Sequence, residues 1–240
     1  MKILVTNDDG IESPSLKALA RWATKFADVT VVAPKIEQSG KSQSIDFFHP
    51  VEIKQVDFDG IEAWAMDSTP ADCVRFGVLG LKREYDLVFS GINKGYNLGD
   101  DIAYSGTIGA IFEASRMGLR AIAFSTDKTG FDNAVNELDS VYSFIEENAL
   151  LDYTQLLNVN IPTEKSLGIK ITQQGGMFYS DEFVYCGNDT YKQVGDPIEG
   201  DRSDLTVDIN ALTSGYVSIS PLTSTKTDLA AYDKLKLLCK

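Results

Sequence analysis

Basic residues are the minority charge in this chain. Lysine and arginine number 22 against 35 aspartates and glutamates, a formal net charge of −13. They form no cluster, so the basic face that duplex nucleic acid requires is missing and that partner is excluded. Histidine occurs once, as His49 before Pro50. Cysteine occurs three times, as Cys73, Cys186 and Cys239, far apart. That leaves no zinc-ligand spacing and no even disulfide framework. It fits a reducing, cytoplasmic setting. No apolar run approaches the length of a membrane span, and no charged leader precedes the first strand, so no membrane partner is expected. The P-loop, the Gly-x-Gly-x-x-Gly fingerprint and the Gly-x-Ser-x-Gly elbow are also missing. Internal repeats and low-complexity segments are absent.

What remains is a globular composition on 240 residues, enough for one substantial core with a smaller appended lobe. The first 160 residues alternate strand and helix. Lys2 to Thr6 reads as a strand. Ser15 is the expected cap of a helix running to about Phe26, with Leu16, Leu19, Trp22, Ala23 and Phe26 on one face. Val29 to Ala33 is a second strand, and Val51 to Val56 with Ile61 to Met66 forms a hairpin around Asp59-Gly60. Thr69-Pro70-Ala71-Asp72 has the chemistry of a helix start. Asp86 to Phe89 is a strand opening into a long loop, Gly91 to Asp101. Ser105-Gly106-Thr107 begins a helix that ends near Met117-Gly118. Ala121 to Phe124 and Leu157 to Ile161 complete the strands, with an amphipathic helix over Val135 to Leu150 between them.

Crossover helices between apolar strands predict an α/β fold: a Rossmann-like, doubly wound, mostly parallel sheet. Beyond residue 160 the pattern changes to a β-rich C-terminal extension, with Gly215 to Leu222 as a strand and a short helix near Leu229 to Leu238. The expected organisation is a catalytic core over residues 1–160 and an extension over residues 161–240 that serves oligomerisation.

The strongest chemical signal stands at the end of the first strand. Asp8 and Asp9 are adjacent acids that repel each other, and a sheet edge also desolvates them. A cation relieves both penalties. A solvated Asp-Asp-Gly turn is the plain structural reading. In an open α/β sheet ligands bind outside the carboxyl ends of the strands. Two more polar loops fall there. One carries Gln38, Ser39 and Gly40. The other runs from Ser90 to Asp101 and carries Asn93, Asn97 and three glycines. Their carboxylate, hydroxyl and amide oxygens suit Mg²⁺, Mn²⁺ or Ca²⁺. Ser105-Gly106-Thr107 is a helix cap that also offers a phosphate site at a helix N-terminus. His49 reads as peripheral, and Cys73 as a packed thiol.

Several ordered segments together resemble one family. They are Ile3-Leu4-Val5-Thr6-Asn7-Asp8-Asp9-Gly10-Ile11, then Val31-Val32-Ala33-Pro34 with Gln38-Ser39-Gly40, then Thr69-Pro70-Ala71-Asp72. Asp86-Leu87-Val88-Phe89-Ser90-Gly91-Ile92-Asn93, Gly95-Tyr96-Asn97-Leu98-Gly99-Asp100-Asp101 and Tyr104-Ser105-Gly106-Thr107 follow, with a weaker echo at Gly215 to Leu222. The chain resembles the SurE (survival protein E) metal-dependent nucleotidases. The resemblance implies one divalent metal ion per subunit, Mg²⁺ or Mn²⁺, held by Asp8, Asp9, Ser39 and Asn93. It implies hydrolysis of nucleoside monophosphates at a centre where Asp8 and Asp9 are catalytic and Asn97, Ser105, Gly106 and Thr107 bind phosphate. It extends to 3′-nucleotides and short polyphosphate as further substrates, and to a homodimer or homotetramer with exchanged C-terminal segments. Tyr179 to Asp204 does not follow the family's pattern. The rival readings are a non-catalytic Mg²⁺-binding module of the response-regulator receiver kind and a nucleotide-binding protein without turnover. Receivers are about half as long and lack the long Gly/Asn loop.

Overall fold

The structure, a computed structural model, describes residues 1–198 and 200–238. Cys239 lies outside the described residues. Nine strands form the central sheet: β1 (Lys2–Thr6), β2 (Asp28–Pro34), β3 (Ile53–Val56), β4 (Glu62–Met66), β5 (Leu87–Lys94), β6 (Arg120–Thr126), β7 (Leu156–Asn160), β8 (Ile169–Ile171) and β11 (Val217–Leu222). Their spatial order is β3-β4-β2-β1-β5-β6-β7-β11-β8. The six strands from β4 to β7 run parallel, β3 pairs antiparallel with β4, and β11 pairs antiparallel with β7. Two strands from beyond residue 160, β11 and β8, thus join the sheet. Two others, β9 (Glu182–Gly187) and β10 (Thr190–Val194), form a separate hairpin.

The sheet is buried on both faces, which is why its central strands are continuous apolar runs. Alternate side chains point to opposite layers. Ile3, Val5, Phe89 and Phe124 pack with helices α1 (Pro14–Ala23) and α4 (Phe131–Glu147). Leu4, Val32, Val88 and Ala123 pack with α2 (Pro70–Arg75) and α3 (Gly106–Arg116). The result is a three-layer α/β sandwich. After β1 the chain moves to β2 on one side. It later returns to β5 on the other, so strand order reverses between β1 and β5.

Three local readings are corrected. Helix α1 starts at Pro14, so Ser13, not Ser15, flanks its N-terminus, and Ser15 instead shares a 2.8 Å hydrogen bond with the Ser13 hydroxyl. Proline at the first helical position has its φ preset and no N–H to satisfy, and it fixes the start. The strand expected to stop at Phe89 continues to Lys94, with a register irregularity between Ser90 and Asn93. Fully buried Ile92 holds this stretch against the core, and Gly91 lies so close to β6 that a Cβ there would meet the Phe124 carbonyl at 2.3 Å. Asn93 is therefore presented from a strand end rather than a free loop. Finally, the chain forms three helices in its second half: α5 (Leu150–Tyr153), α6 (Asp208–Thr213) and α7 (Leu229–Leu235). Only the last has a counterpart in the sequence pattern.

Phe124 is fully buried, with ring centroids 5.4 Å from Phe89 and 6.2 Å from Trp22. Replacing it by alanine is expected to cost about 3–5 kcal/mol of stability. Urea unfolding checks this, with a lowered midpoint at unchanged slope as the expected result.

Candidate metal and phosphate site

The turn after β1 is built to present two carboxylates. The Asn7 side-chain amide donates to the Gly10 carbonyl, closing the turn. Ile11 N–H donates to the Pro34 carbonyl and Gln38 N–H to the Asp8 carbonyl, both at 2.7 Å. These bonds stitch the loop after β1 to the loop after β2 and bring Ser39 beside the acids. Helix α3 arrives from the opposite side. Gly106 permits that approach, because a Cβ there would stand 2.9 Å from the Asp8 Cβ and 3.3 Å from the Gln38 carbonyl.

Asp8 is buried, and Thr107 grips it from α3. The Thr107 hydroxyl donates to Oδ1 at 2.7 Å and its N–H to Oδ2 at 3.2 Å. Burial outweighs those bonds and, with help from the neighbouring Asp9 charge, lifts the Asp8 carboxyl from 3.8 to about 6. The Asp9 carboxyl is also raised, chiefly by burial. Lys94 opposes that rise and Glu37 adds to it. Asp9 Oδ2 is enclosed with no hydrogen-bond partner among the described residues. A buried acceptor without a donor is costly. Here its natural partner is a cation.

A cavity of about 450 Å³ opens at this edge, lined by Asp8, Asp9, Ser39, Asn93, Asn97 and Ser105 among others. Gly106 and Thr107 do not line it. Thr107 reaches it through Asp8. Ser39 donates its hydroxyl proton to Glu37 Oε1 at 2.6 Å, which leaves its lone pairs free. Asn93 donates its amide nitrogen to the Gly95 carbonyl at 2.8 Å, so its carbonyl oxygen is the free end. The donor set is thus all oxygen, which suits a hard dication. Asp8 retains coordination capacity, since an ionised carboxylate offers about four lone-pair sites. Among the described residues no group of three or more His, Cys, Asp or Glu side chains is placed to hold an ion. The hydroxyl and amide oxygens are therefore needed, with water or substrate oxygens completing the shell as Mg²⁺ commonly requires.

Helix α3 supplies the anion-binding end. Its hydroxyl cap, Ser105, accepts the Ile108 N–H at 3.1 Å, and Thr107 N–H is taken by Asp8. The first N–H of the helix, on Gly106, is left for a ligand. The Ser39 loop lies flat on the same helix. Ser42 bonds the Ala103 and Tyr104 carbonyls, and a Cβ on Gly109 would meet the Ser42 carbonyl at 2.1 Å. His49 is exposed, bonded to Asp46, and lies outside the cavity lining.

Four parts of the site were not read from sequence. Lys94 and Lys128 add positive charge to the rim, and Glu37 holds Ser39. The fourth is a buried amide clamp from β7. Asn158 and Asn160 both donate to the Asn97 carbonyl at 2.8 Å, and Asn160 Oδ1 accepts the Asn97 N–H at 2.9 Å. The Asn97 side chain donates to Ser125 at 2.7 Å. Asp208 then fixes the next turn by accepting the Gly99 N–H at 2.9 Å. The available signal was two asparagines, two residues apart, in an otherwise apolar buried strand, since buried amides demand partners.

Comparison with known proteins adds the family. A family described as survival protein SurE matches residues 3–181. The chain belongs to the SurE family. The 5′-nucleotidase SurE of Pelotomaculum thermopropionicum is 37% identical over 253 residues, covering 100% of this chain and 96% of that protein. The 5′-nucleotidase SurE of Petrotoga mobilis is 37% identical over 249 residues, covering 98% of each. The crystal structure of the SurE protein from Aquifex aeolicus superimposes with a TM-score of 0.84 at 32% identity, covering 100% of both chains. The sheet and its flanking helices are therefore the SurE fold.

Two outcomes are expected from this geometry. In metal-free protein the raised Asp8 carboxyl favours the protonated form in the folded state. Its contribution is full below pH 3.8 and is lost as pH rises through about 6. At about 1.4 kcal/mol per pKa unit the loss is about 3 kcal/mol. Urea titrations of wild type and Asp8→Asn with chelator present, at pH 4 and pH 7, should show the variant gaining that much relative to wild type. Asn160→Ala strands the Asn97 N–H in a buried site and should cost about 1–3 kcal/mol in the same assay.

Proposed function

We propose that this SurE chain is a divalent-metal-dependent phosphomonoesterase that hydrolyses nucleoside monophosphates, a 5′-nucleotidase. The carrying observation is the buried Asp8–Asp9 pair, with one carboxylate oxygen unpartnered, facing a helix N-terminus across a cavity lined by oxygen donors. Asp8, Asp9, Ser39 and Asn93 hold one Mg²⁺ or Mn²⁺ per subunit. That ion supplies charge neutralisation and Lewis-acid polarisation when bound.

The rest falls to the chain's own groups. The Ser105 hydroxyl, the Gly106 N–H and the dipole of α3 take phosphate oxygens, the setting in which helix N-termini bind anions. Asn97, held by the β7 amides, borders the same space. Thr107 acts through Asp8, fixing its orientation so that two carboxylates stay within one small volume. Asp9, with its free oxygen, takes the proton of the attacking nucleophile. Lys94 and Lys128 draw the anionic substrate toward an otherwise acidic protein. The grip is on the terminal phosphoryl group, so 3′-nucleotides and short polyphosphate fit the same chemistry.

The second half of the chain supports a homodimer or homotetramer. Helix α7 buries none of its own residues, and Leu229, Leu235, Leu237 and Leu238 are exposed, as are Phe183, Tyr185 and Tyr191 of the β9–β10 hairpin. Apolar area of that extent is typical of a surface covered by a partner, here another copy through residues 161–240. A cytoplasmic setting agrees with the unpaired state of Cys73 and Cys186. No helix among the described residues is long and apolar enough to cross a membrane.

The test is phosphate release from a panel of mononucleotides and polyphosphate with Mg²⁺, Mn²⁺ or chelator. Chelation should remove turnover and the metal should restore it. Asp8→Asn and Asp9→Asn should each lower kcat by about 10²–10³ or more while circular dichroism stays native. Full activity in chelator, or in both variants, contradicts the proposal.

A further inference from the structure

A second cavity, of about 670 Å³, adjoins the first. Gly40, Asp101 and Tyr104 line both. The far wall of the second comes from the extension, where Tyr179 and Gly195 flank the β9–β10 hairpin. Tyr179 is pinned by a bridge to Pro197, and Gly195 packs so tightly that a Cβ would meet the Ser180 carbonyl at 2.3 Å. Two phenol rings thus stand on this cavity with accessible faces, Tyr104 at 65% and Tyr179 at 38% exposure. Between them and the phosphate site lies Asp101, whose Oδ2 is enclosed with no hydrogen-bond partner among the described residues. A carboxylate oxygen can only accept, so what completes it is a donor.

Taken outward from Asp8 and Asp9, the order of groups is phosphate site, unpartnered acceptor, aromatic pair. A nucleoside monophosphate has the matching order of phosphate, sugar hydroxyls, flat base. Acidic side chains bind ribose hydroxyls in nucleotide sites built on sheets of this kind, and bases stack on tyrosine faces without regard to sequence. We propose that the second cavity is the ribonucleoside subsite, in which Asp101 accepts from a ribose hydroxyl and Tyr104 and Tyr179 stack on the base. This rests on the phosphomonoesterase reading and deepens it: the preferred substrates are ribonucleotides rather than 2′-deoxyribonucleotides or simple phosphate esters. Tyr179 falls in the segment that departs from the family's pattern, so this selectivity belongs to this chain.

The experiment compares kcat/KM for AMP, 2′-deoxy-AMP and p-nitrophenyl phosphate in wild type, Tyr179→Ala, Tyr179→Phe and Asp101→Asn. Calorimetry with adenosine alone runs in parallel. Removal of one stacking ring is worth about 10-fold. Tyr179→Ala should therefore lower the ratio of AMP to p-nitrophenyl phosphate activity about tenfold and weaken adenosine binding, while Tyr179→Phe retains both. Asp101→Asn should bring the AMP to deoxy-AMP ratio toward one. Unchanged ratios in Tyr179→Ala and Asp101→Asn overturn the subsite and leave the phosphatase standing. If wild type releases phosphate from none of the esters, the phosphatase reading falls. Adenosine binding, lost or kept in Tyr179→Ala, then still decides the subsite.

Discussion

The hydrogen-bonded grip of Thr107 on Asp8 is the contact on which the site is built. It joins residues 99 apart in sequence and ties the end of β1 to the first turn of α3. Without it, two adjacent carboxylates at a dry sheet edge would turn apart toward water. With it they are held close, in surroundings that disfavour their charge. The strain is electrostatic rather than conformational. The protein's own lysines offset only part of it, since Lys94 acts on Asp9 while Glu37 works in the opposite sense. A bound dication removes the remainder, and metal affinity and apparent stability therefore share one source.

The fold explains why the site lies where it does. Strand order reverses between β1 and β5, so the loops leaving them separate and a crevice opens between their carboxyl ends. The β2 loop is tied to that crevice through Asp8 and Gln38, and α3 closes it from the side. Strand β7, two strands away, reaches the same place through amides that hold Asn97. The centre is thus assembled from the ends of four parallel strands and one helix. That mounting suits a site where displacements near 1 Å degrade function.

Much of this was legible in the sequence, for a definable reason. Asp8 and Asp9 are neighbours in the chain, and Thr69-Pro70 and Ser105-Gly106 are local helix starts. Such features require no knowledge of distant contacts. The alternation of apolar strands with helices likewise gave the layered sheet. Contacts between residues remote in sequence were not legible. Thr107 stood out as a phosphate-site residue, yet its partner in the structure is Asp8. The β7 asparagines read only as part of a strand, because their partner Asn97 lies about 60 residues earlier. The extent of β5 was missed because Gly91 and Asn93 carry turn chemistry, whereas buried Ile92 between them decides the local path. Helix α6 was missed because its start, Asp208, is satisfied by the backbone of Gly99 and Gly175 rather than by a local cap.

The central claim is that Asp8 and Asp9 share one dication with Ser39 and Asn93. Mn²⁺ titration followed by electron paramagnetic resonance measures this without reference to turnover. The account predicts one tight Mn²⁺ per chain in wild type, and its loss in Asp8→Asn and Asp9→Asn proteins that remain folded. Equal Mn²⁺ binding in wild type and both variants would contradict it.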